Sequence, residues 1–326
     1  MPKALITGSS GFVGSQVIEH ARNLGWEVIG IGRRQSSATN YFSCDLSLPF
    51  PSIVCNAIRD VDVVIHAAAR SSPWGSAKQF KAANVTATQN LLNFFEGLHA
   101  PKFVFISSSS VYYRGEDQLG ITEETPLAEP AVNMYAHTKQ VAERLVRNYP
   151  GPKVILRPRA VYGRGDTVLF PRILKAAQAG RLPLLTRSGT PVIGDLISIH
   201  NLVPIIVAAA SRSEISGEYN LTDDHPVEII EFLLDVFEQL EIQRPTRRLS
   251  VRAAFRIADT LEMLHRVFFP WVEPAITRFG VHVFAYSKTF DVTKMKTAFG
   301  QPTWSVKNSV EDFANWIHTC NPYGLA

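Results

Sequence analysis

Two side chains on one face of a predicted helix could act together in proton transfer. Tyr135 and Lys139 are four residues apart, which places them one turn apart on a helix predicted from Tyr135 to Asn148. A tyrosine with an unperturbed pKa of about 10 is a poor acid or base at neutral pH, and a nearby ammonium group together with a nicotinamide ring would bring that pKa toward the working range. Upstream, the serines at 107–110 follow a predicted strand, where a hydroxyl group could hydrogen-bond a substrate carbonyl. These residue types predict proton transfer at a substrate oxygen atom.

A glycine-rich turn precedes all of these residues in the chain. Gly8, Gly11 and Gly14 follow a strand predicted at 3–7 and open a helix predicted at 14–24. In this spacing the first glycine allows a tight turn, the second lets the backbone approach a pyrophosphate, and the third lets the helix pack closely on the strand. The start of the helix then offers free N–H groups and the positive end of its dipole to phosphates. The turn therefore predicts a dinucleotide site, and the alternative is a tight strand–helix corner without a ligand.

The end of the second predicted strand indicates which dinucleotide is bound. Proteins that bind NAD usually carry Asp or Glu there, about 20 residues past the glycines, on the ribose hydroxyls. Here Gly32 has that place, and Arg33 and Arg34 follow it. Guanidinium groups without a carboxylate favour a 2′-phosphate, so the sequence predicts NADP(H), with NAD(H) as the less favoured cofactor. The alternative is a solvated basic pair at a strand end.

The first half of the sequence alternates short runs of β-branched residues, which predict strands, with segments of helical periodicity. These elements could position the residues described above. Beyond the elements above, the pattern predicts strands at 27–31, 61–68, 102–107, 153–157 and 217–221, helices at 82–98 and 170–179, and a strand leading into a helix at 195–210. This alternation predicts an α/β fold with a Rossmann doubly wound parallel sheet. From residue 227 onward helices dominate, which predicts a smaller, mainly helical C-terminal substrate-binding cap.

The predicted domains interleave along the chain. The cofactor domain is predicted at 1–165, with 195–222 returning to it, and the cap at 166–194 and 223–326.

Composition excludes several classes of function. The 326 residues are 46% hydrophobic and 19% charged, which excludes a disordered or fibrous chain. The formal charge of +4 is too small for a dedicated nucleic-acid binder, so no nucleic-acid partner is expected. Three cysteines without a C-x-x-C pair predict neither a disulfide framework nor a metal site. No signal peptide or membrane-spanning run is predicted, so we expect a cytoplasmic protein that acts on a small molecule.

The chain resembles the extended short-chain dehydrogenase/reductase superfamily over nearly its whole length. The motifs that carry the resemblance are TGSSGFVG at 7–14, HAAA at 66–69, SSSSVYY at 107–113, YAHTK at 135–139 and LRPRAVYGRGD at 156–166. The resemblance implies a catalytic triad of Ser108, Tyr135 and Lys139. It also implies that Tyr135, Lys139, the glycines and both arginines contact the cofactor together with Phe12, Val13, Asp45, Leu46, Ala67, Ala68, Ala69, Asn84 and Pro158.

The serine segment separates subfamilies of this superfamily. In sugar-nucleotide 4,6-dehydratases Asp and Glu follow the catalytic hydroxyl and remove water, whereas this chain has Ser109 and Ser110. Fucose-synthase-type epimerase-reductases use a cysteine near this strand, and Ser110 stands in that place. The segments at 68–75, 156–166 and 290–300 resemble the 3β-hydroxysteroid dehydrogenase-like branch, which includes bacterial 2-alkyl-3-oxoalkanoate reductases. This resemblance implies hydride transfer between NADP(H) and a ketone or secondary alcohol, with an apolar 3-oxo or 3-hydroxy substrate that is steroid-, lipid- or polyketide-like.

Two other functions stay open from the sequence, namely a sugar-nucleotide 4-epimerase with tightly bound NAD and a non-catalytic NADP-sensing protein. The aromatic and basic segment at 244–284 is interpreted as a cap that packs on the cofactor domain or, alternatively, as an apolar substrate pocket. Its arginines could give peripheral membrane contact, and a homodimer is a further prediction. Substrate contacts are predicted at Ser71, Trp74, Ser109, Arg159 and Val161.

Overall fold

Seven parallel strands form the central sheet of the computed structural model, which describes residues 1–187, 189 and 191–324. The strands are β1 Lys3–Thr7, β2 Glu27–Gly32, β3 Tyr41–Ser43, β4 Val63–His66, β5 Lys102–Ile106, β7 Lys153–Pro158 and β12 Gly217–Leu221. Across the sheet their order is β12-β7-β5-β4-β1-β2-β3. The chain winds outward in one direction from β1 and in the other from β4, so a crevice opens at the carboxyl ends of the central strands. The predicted Rossmann doubly wound sheet is confirmed.

Helices cover both faces of this sheet. They are α1 Phe12–Asn23, α2 Ser52–Ile58, α3 Ala77–Phe80, α4 Ala87–Glu96, α5 Met134–Arg147, α6 Phe170–Gln178 and α7 Ile199–Ser211. Side chains alternate along β1, so Ile6 shares a core with α1 and α7, whereas Leu5 shares a core with α4 and α5 on the opposite face. Burial on both faces explains why these strands are continuous apolar runs in the sequence.

Several short strands lie outside the central sheet. They are β6 Gln118–Ile121, β8 Val161–Tyr162, β9 Leu184–Thr186, β10 Ile193–Gly194, β11 Ile197–Ser198, β13 Val227–Glu228, β14 Arg248–Ser250 and β15 Lys288–Phe290. One small sheet has the order β13-β10-β15-β6. In it, β6 from the predicted cofactor domain pairs in parallel with β15 from the predicted cap. The two predicted domains therefore share a sheet.

The C-terminal region contains α8 Ile229–Gln239, α9 Val251–Phe268, α10 Arg278–Ala285, α11 Thr293–Phe299 and α12 Val306–Cys320. Phe170, Phe232 and Phe313 join α6, α8 and α12 in one aromatic core. Helix α9 buries only Ala254 and Ala258, and it packs on α10. In the described parts of the chain, no helix is both long enough and apolar enough to cross a membrane. Four residues of the predicted cap lie outside the described residues: Ser188, Thr190, Leu325 and Ala326.

Candidate active site

The glycine turn between β1 and α1 has the shape that a pyrophosphate requires. Gly8 has a φ of +67°, and a side-chain carbon there would lie 2.7 Å from the backbone nitrogen of Ala68. A Cβ at Gly14 would lie 2.3 Å from the carbonyl oxygen of Gly8, so only glycine lets the helix approach the turn this closely. Helix α1 begins at Phe12, directly after the turn, and its first N–H groups have no partner within the helix. The turn therefore leaves a space, next to the start of a helix, that a side-chain carbon would fill. Such a space fits the phosphate of a dinucleotide.

A cavity of about 820 Å³ lies between the carboxyl ends of the sheet strands and the cap. It brings together residues that are far apart in the sequence. The predicted site residues that line it are Gly8, Gly11, Phe12, Val13, Gly14, Arg33, Arg34, Asp45, Leu46, Ala67, Ala68, Ala69, Ser71, Ser108, Ser109, Tyr135, Lys139, Pro158, Arg159 and Val161.

The predicted triad is positioned by a capped helix and a capped turn. Asn133 accepts a hydrogen bond from the backbone N–H of Ala136 at 2.8 Å and so fixes the start of α5, which carries Tyr135 and Lys139. Ser108 is the N-cap of a short 3₁₀ turn that follows β5, and its hydroxyl hydrogen-bonds the Tyr135 side chain. All three side chains face the same cavity as the glycine turn, so a substrate oxygen could meet a phenol and a hydroxyl there.

Burial sets the protonation of the pair on α5 in the protein alone. It raises the pKa of Tyr135 to about 12, against the opposing hydrogen bond from Ser108. Burial also lowers the pKa of Lys139 to about 7, against the attraction of Glu143, while Lys139 Nζ donates to the carbonyl oxygen of Ile106 at 2.7 Å. The sequence predicted that a lysine ammonium together with a nicotinamide ring lowers the tyrosine pKa. In the protein alone burial raises that pKa, and the effect of the lysine with a bound nicotinamide stays a prediction.

A buried ion pair lies directly behind Lys139 and was not predicted from the sequence. Arg157, only 1% exposed, binds both carboxylate oxygens of Glu143, with Nε–Oε1 and Nη2–Oε2 distances of 2.9 and 2.7 Å. The hydroxyl of Ser107 donates to the same carboxylate at 2.5 Å. This network ties α5, β7 and the end of β5 together behind the triad. The signal for it was an acidic residue four positions after Lys139, on the face of α5 that turns toward the sheet.

Two predicted site residues do not line the cavity. Asn84, predicted to bind the cofactor, accepts from the backbone N–H of Arg70 at 2.7 Å and donates to Thr138 at 2.9 Å, so it joins the loop after β4 to α5. Trp74, predicted to contact substrate, donates from its indole nitrogen to the carbonyl oxygen of Pro270 at 3.1 Å. Both side chains are used to hold segments together, which makes them supports of the cavity wall.

The predicted ribose end of the cavity carries exposed cations. Arg33 and Arg34 line it, and in the described residues neither has an acidic side chain within 4.0 Å. Asp45 lines it nearby and accepts from the N–H and the hydroxyl of Ser47 at 2.9 and 2.7 Å. These two hydrogen bonds lower the pKa of the Asp45 carboxyl, so it is ionised at neutral pH. A Cβ at Gly32 would lie 2.6 Å from the phenol oxygen of Tyr41, which fills the space of the usual carboxylate.

The cap side of the cavity is apolar, and only the C-terminal part of the predicted segment at 244–284 contributes to it. The aromatic run at 255–271 contributes no lining residue. Its place is taken by the residues that follow it and by two other segments, namely Leu184, Leu185, Ile230, Leu233, Ile276, Phe279, Val283 and Phe284. Of the segment at 244–284, which was alternatively predicted to form an apolar pocket, Ile276, Phe279, Val283 and Phe284 line the cavity. Most of the side chains at 255–271 instead face outward from α9 and the turn after it.

Comparison with known proteins agrees with this geometry. Residues 4–222 match the NAD dependent epimerase/dehydratase family. The chain is similar to the 2-alkyl-3-oxoalkanoate reductase of Shewanella oneidensis, 29% identical over 95% of this chain and 84% of that protein. It is also similar to the mouse sterol-4-alpha-carboxylate 3-dehydrogenase, decarboxylating, 25% identical over 97% of this chain and 91% of that protein. In fold it is similar to the UDP-glucuronic acid 4-epimerase of Bacillus cereus in complex with NAD, with a TM-score of 0.72, 21% identity, and coverage of 97% and 96%.

The fold and the site together define an NAD(P)-dependent oxidoreductase of the extended short-chain dehydrogenase/reductase class. Within that class, the chain belongs to the NAD dependent epimerase/dehydratase family.

Proposed function

We propose that this protein interconverts a ketone and a secondary alcohol with NADP(H), on apolar 3-oxo or 3-hydroxy substrates. The observation that carries the proposal is a single cavity lined by the triad, the glycine turn and an apolar cap wall. The names of the relatives support it, since they describe a reductase of 3-oxoalkanoates and a sterol 3-dehydrogenase. An apolar cap wall suits such substrates better than a sugar nucleotide, whose diphosphate needs many polar contacts.

Three side chains would carry the proton chemistry. Tyr135, protonated up to high pH, would donate its proton to the carbonyl oxygen during reduction and receive it back from the alcohol during oxidation. Ser108 would hydrogen-bond the same oxygen, because its hydroxyl already lies beside the phenol. Lys139 would support the phenolate and hold the cofactor ribose. The bound nicotinamide would supply or accept the hydride.

The cofactor would lie along the cavity from the glycine turn to the triad. The backbone at Phe12 and Val13 would bind the pyrophosphate. Asp45 would contact the adenine end, and Arg33 and Arg34 would bind a 2′-phosphate as charged donors. These roles support NADP(H), because two cations lie at this end without an acidic partner within the described chain.

The test is cofactor oxidation or reduction, followed by absorbance, against panels of ketones, 3-oxo acids and sterols. Turnover of apolar 3-oxo or 3-hydroxy compounds that requires added NADP(H) is the expected result. Tyr135→Phe is the matched control, because it keeps the ring and removes the proton donor. Turnover of a sugar nucleotide without added cofactor would instead indicate a 4-epimerase with tightly bound NAD. Cofactor binding without turnover of any panel member would indicate a sensing protein.

We also propose that the outer face of the cap contacts an anionic membrane surface. Helix α9 and the turn after it expose a set of large apolar side chains, namely Met263, Leu264, Val267, Phe268, Phe269, Trp271 and Val272. Segment 244–284 holds seven arginines and three acidic residues, so its net charge equals the +4 of the whole chain. Exposed aromatic residues on a helix that also carries arginines are typical of helices that lie in a membrane interface. Most residues of the following segment, 273–284, line the cavity, so a membrane contact of this face would bring the cavity close to a lipid source of apolar substrate.

Vesicle sedimentation tests this contact. The intact protein should sediment with vesicles that contain phosphatidylglycerol and much less with phosphatidylcholine vesicles, and Trp271→Ser should weaken the binding. Leu119→Ser is the matched control, because Leu119 is 68% exposed on β6. Equal binding by both variants would contradict the proposal. A particle of twice the mass that Trp271→Ser splits would instead assign the face to a second copy. The predicted homodimer and cytoplasmic location stay predictions.

A further inference from the structure

Arg159 is a buried cation that faces the cavity without a partner. The residue is only 3% exposed and lines the cavity just after β7. Its Nε is fully buried and has no hydrogen-bond partner. Within the described residues, its guanidinium forms no ion pair shorter than 4.0 Å. An unpaired guanidinium is costly to bury and cannot escape by losing its proton, so a ligand that supplies the missing charge would explain its presence.

The charged neighbours of Arg159 are engaged elsewhere. Asp195 is the acid that interacts electrostatically with Arg159. Its carboxylate accepts a hydrogen bond from the backbone N–H of Phe290 at 2.7 Å, and it lies more than 4.0 Å from the guanidinium. Lys288, also buried, donates to the carbonyl oxygen of Glu116 at 2.5 Å. The contact that Arg159 does make is with an aromatic face, since its Cζ lies 5.2 Å from the ring centroid of Tyr113. The donor edge of the guanidinium is therefore available to a ligand.

The strand register places this cation close to the reacting centre. Ile106 of β5 lies opposite Leu156 of β7, so Ser109 and Arg159 each lie three residues beyond a paired position. The hydroxyl of Ser109 is 2.9 Å from the phenol oxygen of Tyr113, the ring that Arg159 covers. Ser109 directly follows Ser108 of the triad. An anion on Arg159 would thus be a short spacer away from an oxygen on Ser108 and Tyr135.

We propose that Arg159 binds the carboxylate of a 3-oxo or 3-hydroxy acid and makes such acids, rather than neutral ketones, the preferred substrates. This inference rests on the proposed function and adds the charge of the substrate to it. A planar guanidinium with a free edge matches a carboxylate, which it can bind through two parallel hydrogen bonds. Arg159 lies against Tyr113, which stacks on Phe279, and a buried cation beside aromatic side chains suits one carboxylate better than a diphosphate, which needs many polar contacts.

Stable 3-hydroxy acids give the cleanest experiment. Oxidation of a 3-hydroxyalkanoate is compared with oxidation of its methyl ester, in wild type, Arg159→Met, Arg159→Lys and Arg164→Met. Arg164 follows β8, five residues further along the chain, where it is exposed and does not line the cavity, so it is the matched control. Arg159→Met should lower kcat/KM for the acid about 10- to 100-fold, mainly through KM, because it removes a charge-assisted hydrogen bond. The ester should change little, and Arg159→Lys should restore part of the acid activity.

The outcomes separate this inference from the proposed function. Turnover of neither compound by wild type would contradict the proposed function. Turnover of both with no preference for the acid, or an equal loss of both in Arg159→Met, would overturn the carboxylate assignment and leave the proposed function standing. If Arg159→Met does not fold, thermal melting of the wild-type protein with NADP⁺ decides. Octanoate should then stabilise the protein and octanamide should not, and equal shifts would overturn the assignment.

Discussion

Replacing Arg33 by alanine tests the cofactor assignment directly. The side chain is exposed at the cavity edge and has no acidic partner within 4.0 Å among the described residues, so the substitution should not disturb the fold. NADP(H) differs from NAD(H) by one phosphate, and only that phosphate would contact Arg33. The substitution should therefore weaken NADP(H) selectively. Arg59→Ala, which removes an exposed arginine outside the cavity, is the matched control.

The size of the effect follows from the exposure of the two arginines. A hydrogen bond to a charged group contributes about 1.5–3 kcal/mol, but solvent and salt screen an exposed contact, so the lower end applies. We expect the Kd for NADPH to rise about tenfold in Arg33→Ala and that for NADH to change less than about twofold. Fluorescence titration of the reduced cofactors measures both constants without relying on turnover. Raising the salt concentration should reduce the difference between wild type and Arg33→Ala.

Gly32→Asp is a second test of the same site. A Cβ there would lie 2.6 Å from the phenol oxygen of Tyr41 and 2.7 Å from the hydroxyl oxygen of Ser10, so the carboxylate should be introduced together with Tyr41→Phe and Ser10→Ala, which remove both oxygens. This combined variant should favour NADH, because the new carboxylate repels a 2′-phosphate and accepts from the ribose. A wild type that prefers NADH, or an Arg33→Ala variant that weakens both cofactors equally, would refute the assignment of a 2′-phosphate to this pair.

Three further substitutions test the centre of the site. Tyr135→Phe should lower kcat at least 100-fold, the usual minimum for loss of a general acid, and leave the NADPH Kd nearly unchanged; kcat within tenfold of wild type contradicts the assignment. Lys139→Met should flatten the pH dependence of unfolding in urea between about pH 7 and 10.5. In that window the unfolded chain binds the lysine proton and the folded protein does not, so wild-type stability should rise with pH, and a slope unchanged by the substitution contradicts the burial argument. Gly14→Ala should weaken NADPH binding roughly tenfold or more, because its Cβ would lie 2.3 Å from a carbonyl oxygen. Gly97→Ala, where no atom lies within 4 Å of the added carbon, should bind normally, and equal effects contradict the fit of the turn to a phosphate.

The parts of the fold that follow from local physics were predictable from the sequence. β1, β4 and β5 are buried on both faces, so they appear as unbroken apolar runs, and the glycine turn needs backbone positions that only glycine supplies. Short elements were not predictable in this way. β3 has three residues and no buried side chain, so it leaves no periodic signal, and α2 begins without a side-chain cap.

The parts that depend on long-range contacts could not be read from local patterns. β6 and β15 pair across the two predicted domains, and nothing local in either segment specifies the other. The same holds for Asn84 and Trp74, whose residue types suited a ligand but whose partners are protein groups distant in the sequence. Within the segment at 244–284, the sequence did not separate the residues that line the cavity from the run at 255–271, because apolar side chains are usually buried. On α9 the fully buried residues are Ala254 and Ala258, and most of the large apolar side chains from Ile257 onward are exposed.

The cationic side chains that line the cavity differ in burial and in chemical type, and these differences determine the role that each can have. Arg33 and Arg34 at one end are exposed, Arg159 on the substrate side is buried, and all three present guanidinium groups to the cavity. Lys139 between them is an amine, and burial brings its pKa to about 7. Anions are therefore favoured at the two ends of the cavity, and the centre can exchange a proton near neutral pH. A carbonyl compound with a carboxylate at one side fits this pattern, because its uncharged oxygen would lie at the phenol of Tyr135 while its charge lies on Arg159.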